Sequence, residues 1–353
     1  MKSIISSSYA VHFGDVAIES LNNHLKSANY SKIFILVDEN THQYCLPYLL
    51  SEIAGDYDFE IIEIESGEIN KTIETCFQVW GAMSDLDGDR KSLMINVGGG
   101  VITDLGGFVA STFKRGIDFI NVPTTLLSMV DASVGGKTGV DLGMLKNQIG
   151  VINQPEMVLI VSDFLKTLEE RQLWSGYAEM LKHGLIKNED YWHTLKSVTS
   201  FEDMDGLIYT SVCTKNEVVL EDPTEQGIRK ILNYGHTLGH AVESYFLESD
   251  THETLLHGEA IAVGMILEGY LSAKLCGLSD AALADIKATF LAKYSKVTFA
   301  KDDITNILGL LKFDKKNSHG NVNFVLLKGL GAPAIDVKVP EELLLESFAY
   351  YAE

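Results

Sequence analysis

The stretch from Gly98 to Asn147 is dense in residues that make chemical sense beside a ligand. Three consecutive glycines, Gly98-Gly99-Gly100, follow the apolar run Leu93–Val97. That pattern reads as a buried strand entering a tight turn, and glycine lets a ligand approach the main chain closely. A helix starting between Val101 and Asp104 would aim its first amides and its dipole at an anion such as a pyrophosphate. Further on come Lys114 and Arg115, a strand ending in Pro123-Thr124-Thr125, then Asp131, Gly135-Gly136-Lys137-Thr138 and Lys146-Asn147. Gly-Lys-Thr does not make a P-loop here, because Asp131 stands where the first glycine of that motif belongs. The fingerprint G-x-G-x-x-G fails as well, at Thr103 in one register and at Ile102 in the other. The glycines alone fit a ligand-free turn equally well. Asp131, Lys137, Lys146 and Asn147 move the balance to a nucleotide or anion site.

A second constellation lies near Gly235-His236-Thr237-Leu238-Gly239-His240 and His257-Gly258-Glu259. His236 and His240 are four residues apart and share one face of a helix. An imidazole pair at this spacing is a common half-site for zinc. Metalloproteases use H-E-x-x-H, but Thr237-Leu238 leaves no general base between these two. By spacing both are ligands, and a third must come from elsewhere. His257 and Glu179, an acid inside the apolar helix YAEMLKHGLI, are the candidates. Ten histidines leave room for coincidence, yet His236, His240 and His257 each adjoin a glycine, which favours a site.

Lys182, His183, Lys215, Arg229 and the pair Lys315-Lys316 gather on the same segments. The chain carries a net charge of −21 with a pI near 4.8, so local cations run against the background. They point to a small anionic substrate bearing phosphate or carboxylate. Lys187, Lys196 and Lys230 read as exposed lysines on solvated helix faces. The same acidic balance opposes binding to nucleic acid or to an anionic membrane. No apolar run approaches the roughly 18 residues that span a bilayer, and the N-terminus has no secretory pattern. Cys45, Cys76, Cys213 and Cys276 form no CxxC, so four reduced thiols in a cytoplasmic protein are expected.

The elements that must position these groups alternate at first. Strands are expected at Lys32–Val37, Phe59–Ile64, Leu93–Val97, Phe119–Val122 and Val158–Val161, with helices between them. This is the pattern of a mainly parallel, Rossmann-like sheet with helices on both faces. Asp38, Gly98–Gly100 and Thr124 fall at the carboxyl ends of strands, where such sheets bind ligands. Asp38 could equally cap a helix. From about Asp163 helical periodicity takes over, at Leu168–Ile186, Met204–Leu220, Ile231–Leu247, Gly258–Cys276, Asp280–Leu291 and Ile304–Leu311. Asn323–Leu327 and Ile335–Val339 read as a hairpin. Two domains are expected, 1–162 α/β and 163–353 mainly α-helical.

At this point the chain resembles the 3-dehydroquinate synthases, members of the sugar phosphate cyclases, over nearly its whole length. The motifs are SGE-x-x-K at Ser66–Lys71, GGG-V-x-x-D-L-x-G at Gly98–Gly107, VPTTLLSMVDASVGGKT ending at Thr138, and KN-x-IG at Lys146–Gly150. They continue as G-x-AE-x-x-K at Gly176–Lys182, LNYGHTLGHA-x-E at Leu232–Glu243, HGEA at His257–Ala260 and DKKN at Asp314–Asn317. The resemblance implies NAD against Asp38, Glu68, Lys71, Gly99, Gly100, Asp104, Thr124, Thr125, Lys146, Thr167 and Leu168. It implies a divalent metal, zinc or else cobalt, on Glu179, His236 and His257, with His240 facing the substrate instead. Asp131, Lys137, Asn147, Lys182, Lys215, Arg229, Asn233 and Lys316 (or its neighbour Lys315) would hold a sugar phosphate, and Arg115 would reach it across a homodimer interface. The implied reaction turns a seven-carbon keto-acid sugar phosphate into 3-dehydroquinate and phosphate through a transient oxidation. Two positions depart from the family pattern. Gln172 replaces an acidic residue, and 248–253 is a surface insertion whose His252 is not the ligand. A polyol dehydrogenase of the glycerol type would share the glycine turn and the metal, but does not need Lys137, Lys182, Lys215 and Arg229. Another sugar phosphate cyclase is the nearer rival, and a non-catalytic relative the remoter one.

Overall fold

The computed structural model describes residues 1–143, 145–249, 251–311 and 322–353. Lys315 and Lys316 lie outside them. The described chain forms two compact units. The first holds Met1–Glu169 with Asp203–Asn216, and the second Glu170–Glu202 with Glu217–Glu353. Where the sequence reading put the division after residue 162, residues 163–169 and Asp203–Asn216 group with the first unit. Side chains explain this: Phe164 stacks edge-on against Tyr48, and Tyr209 packs on Phe13.

The first unit is built on seven strands: β1 (Ile4–Ile5), β2 (Ala10–Phe13), β3 (Ile33–Asp38), β4 (Phe59–Ile64), β5 (Leu93–Gly98), β6 (Asp118–Pro123) and, after a hairpin, β9 (Met157–Ile160). Their order is β1-β2-β9-β6-β5-β3-β4, all parallel except β1. The central strands are mainly apolar because both faces of the sheet are covered, with the buried Asn96 and Asn121 of β5 and β6 bonded to each other at 2.9 Å. On one face Phe34, Leu36 and Met94 pack with Cys76, Val79 and Met83 of a helix at Ile73–Asp85, and with Ile102 and Leu105 of a helix at Gly100–Thr112. Ile35 and Ile95 point the other way by alternation and are equally buried. In chain order the helices of this unit are α1 (Asp15–Ser27), α2 (Glu39–Tyr44), α3 (Leu46–Glu52), α4 (Ile73–Asp85) and α5 (Gly100–Thr112). From β3 the chain steps outward to β4, then returns to β5 on the other side. The carboxyl ends of β3 and β5, Asp38 and Gly98, therefore flank the point where the winding reverses.

The antiparallel hairpin β7 (Lys137–Leu142) and β8 (Leu145–Ile152) was not expected. Its sequence, KTGVDL followed by LKNQIGVI, has weak alternation; Val140 joins the core cluster and the partly buried Ile149 packs against it. Its strands close on each other at glycines: a Cβ on Gly139 would stand 2.4 Å from the Ile149 carbonyl. Helix α5 lies just as close to the sheet. A Cβ on Gly106 would meet Asn96 Oδ1 at 2.0 Å and Leu36 Cδ2 at 2.9 Å.

The second unit is helical. Its elements are α6 (Glu170–Lys187), α7 (Glu189–Lys196), the end of α8 (Asp205–Glu221), α9 (His236–Leu247), α10 (His257–Leu275), α11 (Asp280–Lys293), α12 (Lys301–Leu310), the hairpin β10 (Asn323–Gly329) with β11 (Ala332–Lys338), and α13 (Glu341–Ala352). Helix α6 is buried on every side from Ser175 to Ile186. The helix expected over Ile231–Leu247 is broken. Ile228–Asn233 is a 3₁₀ turn, Gly235 adopts φ 80°, and α9 starts afresh at His236. Apolar periodicity runs through the break, which only the left-handed glycine discloses. Among the described residues no helix is long and apolar enough to cross a membrane.

Two glycine substitutions should behave oppositely. Gly106→Ala forces a buried contact and should destabilise the chain by about 1–3 kcal/mol or more. Gly81→Ala in α4 meets nothing within 4 Å and should stabilise by about 0.4–1 kcal/mol. Urea unfolding midpoints of the two variants against the parent chain check both signs.

Candidate active site

In the first unit the expected cofactor residues converge at the carboxyl edge of the sheet. Helix α5 begins directly after Gly99, so its first amides have no partner within the helix. A Cβ on Gly99 would touch Thr125 at 3.0 Å. Thr124 donates its amide to the Gly98 carbonyl (3.0 Å), and its buried hydroxyl meets only the weakly bonding Cys45 thiol. Thr125 and Ser128 bond through their hydroxyls (2.9 Å). Thr167 donates to Phe164 O and lies 3.8 Å from the Cys45 thiol, while the Leu168 amide bonds to Leu165 O. Asp38, open to two readings from sequence, acts here as the N-cap of α2: Thr41 N donates to it at 2.8 Å.

Lys71 ties this edge together. Its buried ammonium donates to Asp104 (2.6 Å) and to Asn147 Oδ1 (2.7 Å), and lies 3.9 Å from Glu68. Burial works against the charge, but Asp104, Glu68 and Asp141 outweigh it and hold Lys71 protonated, with a pKa above the ordinary lysine value. Glu68 also takes Lys146 at 2.7 Å. Asn147 is held at φ 53° by its amide, which donates to Asp141 Oδ1 at 2.6 Å. Asp141 was missed in the sequence, because its hairpin was not legible. Lys215 donates to Asp131, both to the carbonyl and to Oδ1 (2.7 Å). Lys137 starts β7 opposite Ile152 with its side chain exposed. Arg115 lies past the far end of α5, roughly 20 Å along the helix from the glycine turn. The chain itself does not bring it to this edge.

In the second unit Glu179, on α6, has no exposure to solvent. Its Oε1 lies 3.4 Å from His236 Nε2 and 3.5 Å from His257 Nε2, and its Oε2 accepts from the buried Lys182. Each of the two imidazoles has its other nitrogen engaged. His236 Nδ1 faces Tyr234 O at 3.1 Å, and His257 Nδ1 faces Glu243 Oε2 at 3.2 Å. Such outer contacts orient imidazoles that ligate a metal. One nitrogen each from His236, His240 and His257 falls within 4.8 Å of the others. Two imidazoles and a carboxylate are donors suited to zinc or a similar divalent ion. Burial disfavours charge on His257, but Glu243 and Glu179 outweigh it and raise its pKa to about 10.

Arg229 is buried and donates to Pro223 O at 2.7 Å, and Asn233 Nδ2 donates to Glu225 at 2.8 Å. His252 is half-buried: it binds Ser249, lies 3.6 Å from Asp303 and packs on the rings of Tyr245 and Phe246. Glu243 went unnamed as a functional residue, although it stands seven residues after His236 on the same helix face. Glu268 of α10 was missed too. Its carboxylate accepts from Gly235 N and Leu238 N; like Glu179 it is an acid inside an apolar helix, but no histidine or lysine stands beside it in the run MILEGYL to mark it.

Comparison with known proteins joins the two halves. Residues 61–175 match the family described as 3-dehydroquinate synthase N-terminal, and residues 176–317 match 3-dehydroquinate synthase C-terminal. A 3-dehydroquinate synthase of Parabacteroides distasonis is 43% identical over 338 residues, covering 94% of this chain and 95% of that one. The crystal structure of a 2-deoxy-scyllo-inosose synthase, complexed with carbaglucose-6-phosphate, NAD+ and Co2+, superposes with a TM-score of 0.84 at 25% identity, covering 99% of each chain. The 2-epi-5-epi-valiolone synthase of Streptomyces hygroscopicus, with NAD+ and Zn2+ bound, gives 0.83 at 24% identity over 100% of this chain and 99% of its own, a likeness of fold.

A metal ion held by His257 would compete with a proton for one of its nitrogens. In the metal-free chain the ion pairs of His257 stabilise the fold fully below pH 6.5, and that contribution fades as pH rises through about 10. Zinc added at pH 8 to chelator-treated protein should therefore release about one proton per ion. Calorimetric titration in two buffers of different ionisation enthalpy measures it. Uptake without proton release would mean that His257 is not a ligand.

Proposed function

The chain belongs to the 3-dehydroquinate synthase family, and from that premise we infer that it converts 3-deoxy-D-arabino-heptulosonate 7-phosphate to 3-dehydroquinate and phosphate. The enzyme is then a carbon–oxygen lyase that eliminates phosphate. NAD and a divalent ion, zinc in this reading, supply a reversible hydride transfer at one ring alcohol and polarise its oxygen, so no net oxidation results. The residues present fit both groups. The buried, weakly bonded Thr124 hydroxyl and the free first amides of α5 suit a dinucleotide, and the donor set around Glu179 suits the metal.

Glu179, His236 and His257 would hold the ion, leaving His240 to hold or pass the proton of the substrate alcohol. By helical spacing alone His240 would be a ligand; in this reading it faces the substrate. Glu68, Lys71, Asp104, Lys146 and the glycine turn would bind NAD, with Asp38, Thr125, Thr167 and Leu168 beside it. Asp131, Lys137, Asn147, Lys182, Lys215, Arg229 and Asn233 would bind the sugar phosphate. Their cations hold the departing phosphate, and a phosphate oxygen takes the ring proton lost in the elimination. Retention of the opened enol pyranose then favours the intramolecular aldol closure. Arg115 would serve the site of a second subunit in a homodimer, and the enzyme would work in the cytoplasm.

The observation that carries this reading is Lys182. A metal-dependent dehydrogenase needs the donor set, but not a buried ammonium held against the same carboxylate. The test is phosphate release from the heptulosonate phosphate with NAD and zinc, with absorbance of NADH followed in parallel. Release without lasting NADH is expected, abolished by chelation. Lys182→Ala should lower kcat/KM on the order of 10²–10³-fold. Build-up of NADH with glycerol in place of the sugar phosphate would assign the chain to polyol oxidation instead.

A further inference from the structure

Helix α9 opens with the candidate ligand His236 and carries His240 one turn later. Its N-cap is Gly235, at φ 80°, a residue without a side chain to receive the first amides. An uncapped helix end inside a protein leaves amide donors without partners. Here the acceptor comes from another helix. Glu268, in the middle of α10 and with no exposure to solvent, accepts from Gly235 N at 2.7 Å and from Leu238 N at 3.1 Å. The two helices touch through their backbones at this point. A Cβ on Gly264 would stand 2.0 Å from Gly235 O and 2.7 Å from Gly239 N. Helix α9 cannot slide along α10 without breaking one of these two bonds.

The charge matters as much as the tether. A helix N-terminus carries roughly half a positive charge. His236 is the first residue of α9, so that charge lies beside the place where a cation would bind, and Lys182 adds a full positive charge at Glu179. A neutral hydrogen-bond acceptor could satisfy the amides, but only a carboxylate also offsets this field.

We propose that Glu268 is a positioning residue for the cation site: it caps α9 from α10, fixes His236 and His240, and cancels the positive helix end that would oppose a divalent ion. The proposal rests on the metal reading given above, and extends it to a residue that touches neither metal nor substrate. Glu268→Gln keeps the shape and removes the charge. Glu268→Asp keeps the charge, but its shorter arm cannot span both amides.

Zinc affinity of each folded variant is measured by competition with a chromophoric chelator, with near-ultraviolet circular dichroism as the check on fold. The parent chain should bind tightest, the Asp variant several-fold weaker, and the Gln variant weaker by on the order of 10–100-fold. A parent chain without zinc affinity would defeat the metal reading itself. A parent that binds zinc, with either variant matching it, would overturn the proposal alone. Loss of fold in both variants would also overturn it, by making Glu268 a purely structural carboxylate.

Discussion

Glu179 sets the requirement that the second unit is built to meet. A carboxylate shut away from water loses its hydration and must find positive or hydrogen-donating partners inside the protein. Lys182 lies one turn along the same helix, and His236 and His257 come from the starts of two others. Three helices must therefore meet within a few ångströms. The glycines make that approach possible: Gly235, Gly239 and Gly264 bring the backbones of α9 and α10 together where any side chain would hold them apart. Tyr234 O and Glu243 then turn the two imidazoles so that each points Nε2 at the carboxylate. Burial, backbone contact and ring orientation are parts of one constraint.

The first unit solves a similar problem with the opposite sign. Lys71 is the buried charge, and Asp104, Glu68 and Asp141 are its counterweight. The network joins a 3₁₀ turn after β4, the helix after the glycine turn and the hairpin β7–β8, which are distant in sequence. Asn147, in a left-handed backbone conformation, belongs both to this network and to the residues proposed for substrate. An acidic chain thus keeps the lysines proposed for cofactor and substrate in place by pairing them: Lys71 with Asp104, Lys146 with Glu68, Lys215 with Asp131, Lys182 with Glu179.

Much of this was legible in the sequence, for physical reasons that differ from element to element. The strands at Leu93–Gly98 and Ile33–Asp38 are mostly apolar because they are covered on both faces, so they stand out as runs despite Asn96. The glycine turn, Glu179 and the histidines were legible because chemistry restricts which residue types can serve. The break before α9 was hidden, since one left-handed glycine interrupts no apolar pattern. The hairpin β7–β8 was hidden because it closes through Gly139 and Gly150 rather than through alternating side chains, and Asp141 was lost with it. Glu268 could not be found without the fold. Its partners are backbone amides of another helix, and main-chain partners leave no trace in residue types.

His236 as ligand and His240 as proton carrier are proposed as two roles that their spacing would merge, and one nitrogen of each lies within 4.8 Å of the other. X-ray absorption at the zinc edge, on the parent chain and on His240→Ala, tests that separation most directly. A shell of two imidazoles and a carboxylate oxygen, unchanged in the variant, is the expected result. Three imidazoles in the parent, one of them lost in the variant, would contradict it and make His240 a ligand.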